Sequence, residues 1–152
     1  MSDSILERIQ SEMTAAMKSK DADTLSTLRM LKTALMEAKT KKPKDESLGR
    51  DEEIEILQRY VKKRREAIEE FQRVGREDVA AKEQREIEVT LRFLPQSLPE
   101  HELLAIVRET VARTGATGPK DMGKVIGAVL AQVKGRAEGA LVSRLVKQTL
   151  GG

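Results

Sequence analysis

In every long segment of this sequence apolar residues recur three and four positions apart, and nowhere do they alternate. That spacing is the surface period of an α-helix, whereas a half-buried strand would alternate every second residue. Aromatic residues make up 2% of the 152, namely Tyr60, Phe71 and Phe93, while 35% are charged. A core here must be built from Leu, Ile, Val, Met and Ala, which suits packed helices better than stacked sheets. The reading is an all-α protein, long enough for one domain or two small ones.

Taken in order, Ser4-Ile-Leu-Glu7 has the form of a helix-starting capping box, with Ile5, Ile9, Met13 and Met17 behind it at four-residue spacing. A second helix is expected over roughly 24–40, with Leu28, Leu31, Leu35 and Ala38 on its stripe. Pro43 closes it, and the charged stretch 41–51 reads as a mobile loop. Asp51 then reads as the cap of a long helix carrying Ile54, Leu57, Val61, Ile68 and Phe71, which Gly75 stops. Within it, Lys62-Lys63-Arg64-Arg65 spreads too far around the helix to form one patch, and reads as a solvated, salt-bridged face. A fourth helix, about 77–93, presents Ala80, Ile87, Leu91 and Leu94.

Pro95 and Pro99 mark a boundary, giving domains 1–94 and 95–152. Beyond it three short helices are expected. The first begins at Pro99 and buries Leu103, Leu104, Val107 and Val111 before Gly115. The second begins near Pro119 and buries Met122, Ile126, Val129 and Val133. The third follows Gly135 and buries Leu141, Leu145 and Thr149, with Val142 and Val146 flanking.

Charge is divided unevenly between the two parts. Residues 1–94 hold equal numbers of acids and bases, while 95–152 hold eight Lys/Arg against five Asp/Glu and so carry the whole net charge of +3. The stretch 120–150 is poorest in acid: Lys120, Lys124, Lys134, Arg136, Arg144 and Lys147 face only Asp121 and Glu138. A basic surface of this kind suits a polyanionic partner. Lys134-Gly135-Arg136 sits where one helix ends and another begins, a place where N–H groups and two cations can hold a phosphate; a plain helix stop explains the same residues. Gly123 and Gly127 lie four apart inside a helical pattern, each at a cost of about 1 kcal/mol relative to alanine. They read as helix-packing glycines, placed for close approach of another helix or of a ligand backbone.

Several chemistries are excluded or unsupported. Cysteine is absent, which removes disulfides and thiolate metal sites. The stretch from Gly118 to Val125 has phosphate-loop spacing, but Val125 replaces the Mg²⁺-binding hydroxyl and no strand precedes it. His101 is the single histidine and has no metal-ligand partner at helical spacing. No catalytic constellation, metal site or cofactor site is expected. No run approaches the roughly 20 apolar residues of a membrane span, and the first 20 residues read as an amphipathic helix rather than a signal peptide. A cytoplasmic, membrane-free protein is the expectation.

The motifs Met122-Gly123-Lys124-Val125-Ile126-Gly127, Lys134-Gly135-Arg136-Ala137-Glu138-Gly139 and Val142-Ser143 with Val146-Lys147 resemble the C-terminal signature of the GatB/YqeY family. Leu28-Arg29-Met30-Leu31-Lys32 and Leu94-Pro95-Gln96-Ser97-Leu98 are similar to stand-alone YqeY-like proteins, so the resemblance runs the length of the chain. It departs at Glu138, where the family usually has Asp, and at Ala131-Gln132, where a Pro-Lys pair is common. The resemblance implies a helical N-terminal region with a long helical hairpin, plus a C-terminal three-helix module similar to the tail of the GatB subunit of tRNA-dependent amidotransferase. It implies a tRNA contact by that module, with an amidotransferase or aminoacyl-tRNA synthetase component as a further partner.

Three functions follow as expectations. The first is a tRNA-binding accessory or adaptor protein without chemistry of its own. Its nucleic-acid-binding residues would be Lys120, Lys124, Lys134, Gly135, Arg136, Arg144 and Lys147. The second is a protein–protein module using the Gly123/Gly127 helix face. The third, implied by the family label, is a carbon–nitrogen ligase with glutamine as amido donor. The sequence sets no oligomeric state.

Overall fold

The computed structural model describes residues 4–151. Among them are seven α-helices and no strand: α1 (Ile5–Ser19), α2 (Ala22–Thr40), α3 (Arg50–Arg73), α4 (Glu77–Leu91), α5 (Glu100–Thr114), α6 (Met122–Val133) and α7 (Gly139–Thr149). A single 3₁₀ turn, Pro119–Asp121, leads into α6. The chain separates into two compact units, Met1–Leu94 and Pro95–Gly152.

The first unit is built on α1 to α4. Its core gathers Ile5, Ile9 and Ala16 of α1, Leu28, Leu31 and Leu35 of α2, Ile54 and Leu57 of α3, and Phe93 just past α4. Met17, expected on the α1 stripe, is 58% exposed, and Ala16 is buried in its place. The cause is geometric. Four-residue steps overshoot a turn by about 40° each, so three of them carry Met17 about 120° away from Ile5. Phe93 is fully buried while Leu91 and Leu94 are half-buried, because the chain turns out of α4 with the Phe93 N–H on the Thr90 carbonyl (3.0 Å). Arg8 covers that corner, its guanidinium 5.3 Å from the Phe93 ring centroid and its Nη2 donating to the Arg92 carbonyl at 3.1 Å.

One contact decides how α1 enters this unit. Ser4 Oγ accepts the Glu7 N–H at 3.0 Å, as a cap should. The Ile5 and Leu6 N–H groups go instead to Glu53 of α3, at 3.2 Å to Oε1 and 2.9 Å to Oε2. Glu53 is only 2% exposed. Its charge is tolerated there because it faces two N–H donors and the positive end of the α1 dipole.

The cap of α3 is Gly49, not Asp51. Glu52 Oε1 accepts the Gly49 N–H at 2.9 Å and the Lys42 ammonium at 2.6 Å, and Lys42 also lies 3.8 Å from Glu46. The 41–49 connection expected to be mobile is therefore tethered through Lys42. α3 and α4 form the hairpin that the resemblance implies, turning at Gly75 with φ +78°. Ile54, Leu57 and Val61 are buried, but Ile68 and Phe71 are only half-buried. Arg64 and Arg65, read as part of a solvated face, are half-buried against α4. Arg64 Nη1 lies 3.5 Å from Glu83 Oε2, and Arg65 Nη1 donates to Gln84 Oε1 at 3.0 Å.

The second unit is a three-helix bundle of α5, α6 and α7 around Leu103, Val107, Val125, Val129, Val133, Ala137, Val142, Leu145 and Val146. Pro99 is the N-cap of α5 rather than its first helical residue, and its carbonyl accepts the Glu102 and Leu103 N–H groups. On α6 the buried stripe is Val125, Val129 and Val133, with Met122 and Ile126 half-buried beside it. On α7 it is Val142, Leu145 and Val146, while Leu141 and Thr149 are half-buried; the third helix is thus rotated from its expected face. Thr110 is buried and bonded twice, donating to the Ile106 carbonyl and accepting from Gln132 Nε2, both at 2.8 Å.

Replacing Glu53 with Ala leaves two N–H groups at the start of α1 without an acceptor and should lower the unfolding free energy by roughly 2–4 kcal/mol. Glu53→Gln, which keeps one acceptor oxygen, should lose less. Urea unfolding of the three proteins checks the order; an Ala variant within about 0.5 kcal/mol of the parent would show that the contact is idle. Because the second unit carries its own core, a fragment spanning 95–152 should unfold cooperatively by circular dichroism, with the small amplitude of a unit of this size. A featureless thermal trace would show that it needs the rest of the chain.

Candidate nucleic-acid interface

The acid-poor stretch maps onto the 3₁₀ turn, α6, the α6–α7 connection and α7. An aliphatic stripe on each helix faces the bundle interior, so the cations between the stripes are driven outward. Lys120, Lys124, Lys134, Arg136, Arg144 and Lys147 are all exposed.

The α6–α7 connection is narrower in its possibilities than the sequence suggests. Lys134 and Gly135 take left-handed backbone conformations in succession, φ +34° and +85°. The Lys134 N–H donates to the Leu130 carbonyl (3.1 Å) and the Arg136 N–H to the Val133 carbonyl (2.9 Å). These N–H groups are spent on stopping α6, as a plain helix stop demands, and do not face a ligand. The start of α7 is different. Glu138 is its N-cap through the backbone: its carbonyl accepts the Leu141 and Val142 N–H groups, both at 3.1 Å. The Glu138 side chain makes no cap bond to the helix, and the next two residues, Gly139 and Ala140, are exposed. An anion can approach their N–H groups from solvent.

Two of the candidate cations also hold the module together. Arg136 Nε donates to the Gln96 carbonyl at 3.0 Å, and the Arg136 carbonyl accepts the Leu98 N–H at 2.8 Å. Arg136 therefore ties the segment entering α5 to the segment leaving α6. Arg144 Nη2 meets Glu100 Oε1 at 2.9 Å, with both side chains more than half exposed, which weakens but does not cancel its attraction for phosphate. Near the other end of α6, the Asp121 carboxylate accepts the Thr117 N–H at 3.0 Å. That bond first, with Lys120 and Lys124 adding to it, holds its pKa below the usual carboxylate range.

Gly123 and Gly127 do not pack closely against another helix of the second unit. Both are exposed, and a Cβ built on either has no neighbour within 4 Å. Within the second unit no close helix crossing accounts for them. Together with Ala131 and the 36% exposed Leu130 they give α6 an open face of low relief, beside Lys124 and Lys134. Leu130 was not singled out by sequence, since its spacing from Ile126 also suits a buried face. Among the described residues no three His, Cys, Asp or Glu stand close enough to hold a metal ion, and no helix is long and apolar enough to cross a membrane.

Replacing Gly127 with Ala should raise stability by about 0.5–1 kcal/mol, a few degrees in melting temperature, since alanine costs less in a helix and the space is open. A lower melting temperature would overturn the open-face reading.

Comparison with known proteins bears on the whole chain. The family model described as Yqey-like protein matches residues 6–150. The chain is similar to "Altered inheritance of mitochondria protein 41, mitochondrial" of Pyrenophora tritici-repentis (strain Pt-1C-BFP). The two are 29% identical over 153 residues, covering 97% of this chain and 81% of that protein. It is also similar to "Uncharacterized protein C22F3.15" of Schizosaccharomyces pombe (strain 972 / ATCC 24843), 34% identical over 89 residues. That match covers 58% of this chain and 70% of the relative.

Proposed function

The chain belongs to the YqeY-like protein family, and from that premise we propose that it is a tRNA-binding accessory protein whose second unit contacts the RNA. The observation that carries this reading is the outward placement of all six cations between 120 and 147, around an α7 start that the Glu138 side chain does not cap. Phosphates attract such a surface without regard to base sequence. The three aromatic residues all lie in the first unit, so base stacking contributes nothing from the bundle. Recognition is then of backbone and shape, and depends steeply on salt. In this reading the chain performs no amidation itself. An amidotransferase or an aminoacyl-tRNA synthetase component is the class of partner that makes or consumes the bound tRNA.

A second reading has one observation of its own. The open face of Gly123, Gly127 and Ala131 with Leu130 on it suits a partner helix as well as it suits a sugar–phosphate backbone.

A gel shift with bulk tRNA at two salt concentrations tests the first reading against the second. The variant Lys124→Ala/Lys134→Ala/Lys147→Ala spares Arg136 and Arg144, whose side chains also serve the fold. It should weaken binding alike for unrelated tRNA sequences and flatten the salt dependence by up to about one unit of slope per lost phosphate contact. A folded variant with unchanged affinity and slope would turn the assignment to the protein–protein module.

A further inference from the structure

The α3–α4 hairpin of the first unit changes character along its length. At its base Leu57, Val61 and Ile87 are buried. Above them a polar layer crosses the seam between the helices, with Arg64 Nη1 3.5 Å from Glu83 Oε2. From that layer to the turn at Gly75, Ala80 is the one fully buried residue among those described. Phe71 and Val79 are half-buried, and Val74 at the tip is 68% exposed. Ala67, Phe71 and Val74 continue the side of α3 that carries Ile56, Tyr60 and Lys63, at steps of three and four residues.

Nearer the start of α3 that same side opens on a hollow of about 490 Å³ between α2 and α3. Ala34, Ala38, Leu48, Ile56 and Tyr60 give it an apolar lining, and the two alanines leave it open. Met30, 39% exposed, extends the lining, its Sδ accepting the Tyr60 hydroxyl at 3.8 Å. Six charged groups rim the hollow. Glu52 is met by Lys42 and Glu55 by Arg59 at 3.4 Å, while Glu37 and Lys41 offset one another. Lys63 is left as the excess charge, exposed at the end toward the tip.

Charge along the hairpin is arranged in blocks. Residues 59–65 contain five bases and no acid, whereas 66–78 contain five acids against Arg73 and Arg76. Both of those arginines are already paired within the tip, to Glu70 and Asp78. One side of α3 thus carries an apolar tip with an acidic surround and an open apolar hollow with a basic edge. From Tyr60 to Val74 the separation along the helix is about 21 Å. A twofold contact requires a surface that complements itself, and an axis passing near Ala67 exchanges these two features.

We propose that the first unit pairs with a second copy of this chain through that side of α3, the hairpin tip of each copy seating in the α2–α3 hollow of the other. The two α3 helices run antiparallel, and the small side chain of Ala67 lets them approach at the crossing. Val74 of each copy reaches Tyr60 and Met30 of the other, and Lys63 of each stands opposite Glu70 of the other. A second copy matches tip and hollow at once, with opposite charge at both; an unrelated helix would match one of them. The contact lies in the first unit and draws nothing from the candidate RNA surface of the second.

Light scattering on the full chain over a wide range of concentration tests this. The mass should rise toward twice 16.9 kDa and fall back as salt is added. Val74→Asp, at an exposed position, should weaken association about tenfold or more. Lys63→Glu and Glu70→Lys should each weaken it severalfold, since each places like charges opposite one another twice, and the double variant should recover it. These side chains lie two turns apart on one helix, about 10 Å, so recovery reports a contact between copies. Circular dichroism checks that each variant keeps its helices; the surface pair that Glu70 makes with Arg73 contributes little to them. A chain that stays monomeric throughout would leave this side to a foreign partner and overturn the proposal. So would a dimer indifferent to Val74→Asp, or a folded double variant no better than either single one.

Discussion

A buried carboxylate fixes how the first unit closes. Glu53 sits in the first turn of α3, at 2% exposure, and takes the two leading N–H groups of α1. An isolated carboxylate at that depth would be untenable; two charge-assisted bonds and the positive ends of two helices make it stable. Because the bonds are directional, they set the height of α1 along α3 as well as the contact between them. Ile5 and Ile9, both fully buried, then drop into the core formed with Leu31, Leu35 and Leu57. The 41–49 connection serves the same end. With Lys42 held on Glu52, the first turn of α3 is already in place to present its neighbour Glu53.

The second unit solves the same problem without a buried charge. Its interior is Leu, Val and Ala, supplemented by the Thr110–Gln132 bond and by Arg136, which holds Gln96 and Leu98 from the surface. Every cation in 120–147 is left outside, and most are not needed for packing. Such a surface can be charged for a ligand at little cost to the fold. The exceptions are Arg136 and Arg144, where a contact within the fold and any phosphate contact share one guanidinium.

Helices and their order were legible because each apolar stripe repeats over several turns, and periodicity survives local error. The errors lie where a stripe is short or drifts. Met17 left the core by accumulated rotation, Val125 displaced Met122 and Ile126 on a helix of three turns, and Gly49 rather than Asp51 began α3 because Glu52 could reach back to it. The polar contacts were not legible at all. Glu53 is one of three consecutive acids, and Arg64 one of four consecutive bases; only their place on the helix surface separates them from their neighbours. The six candidate cations could be located from composition alone, whereas the occupied N–H groups of the α6 stop needed the backbone. Gly123 and Gly127 interrupt a helical pattern, but a pattern cannot say whether the space beside a glycine holds a helix or solvent.

The two units therefore carry charge of different kinds. Those of the second unit's candidate surface are lysine and arginine side chains that stand exposed, where salt screens them. The polar layer of the hairpin is the reverse. Its Arg64 and Glu83 side chains are 25% and 13% exposed, so salt in solution screens their attraction less than that of a surface pair.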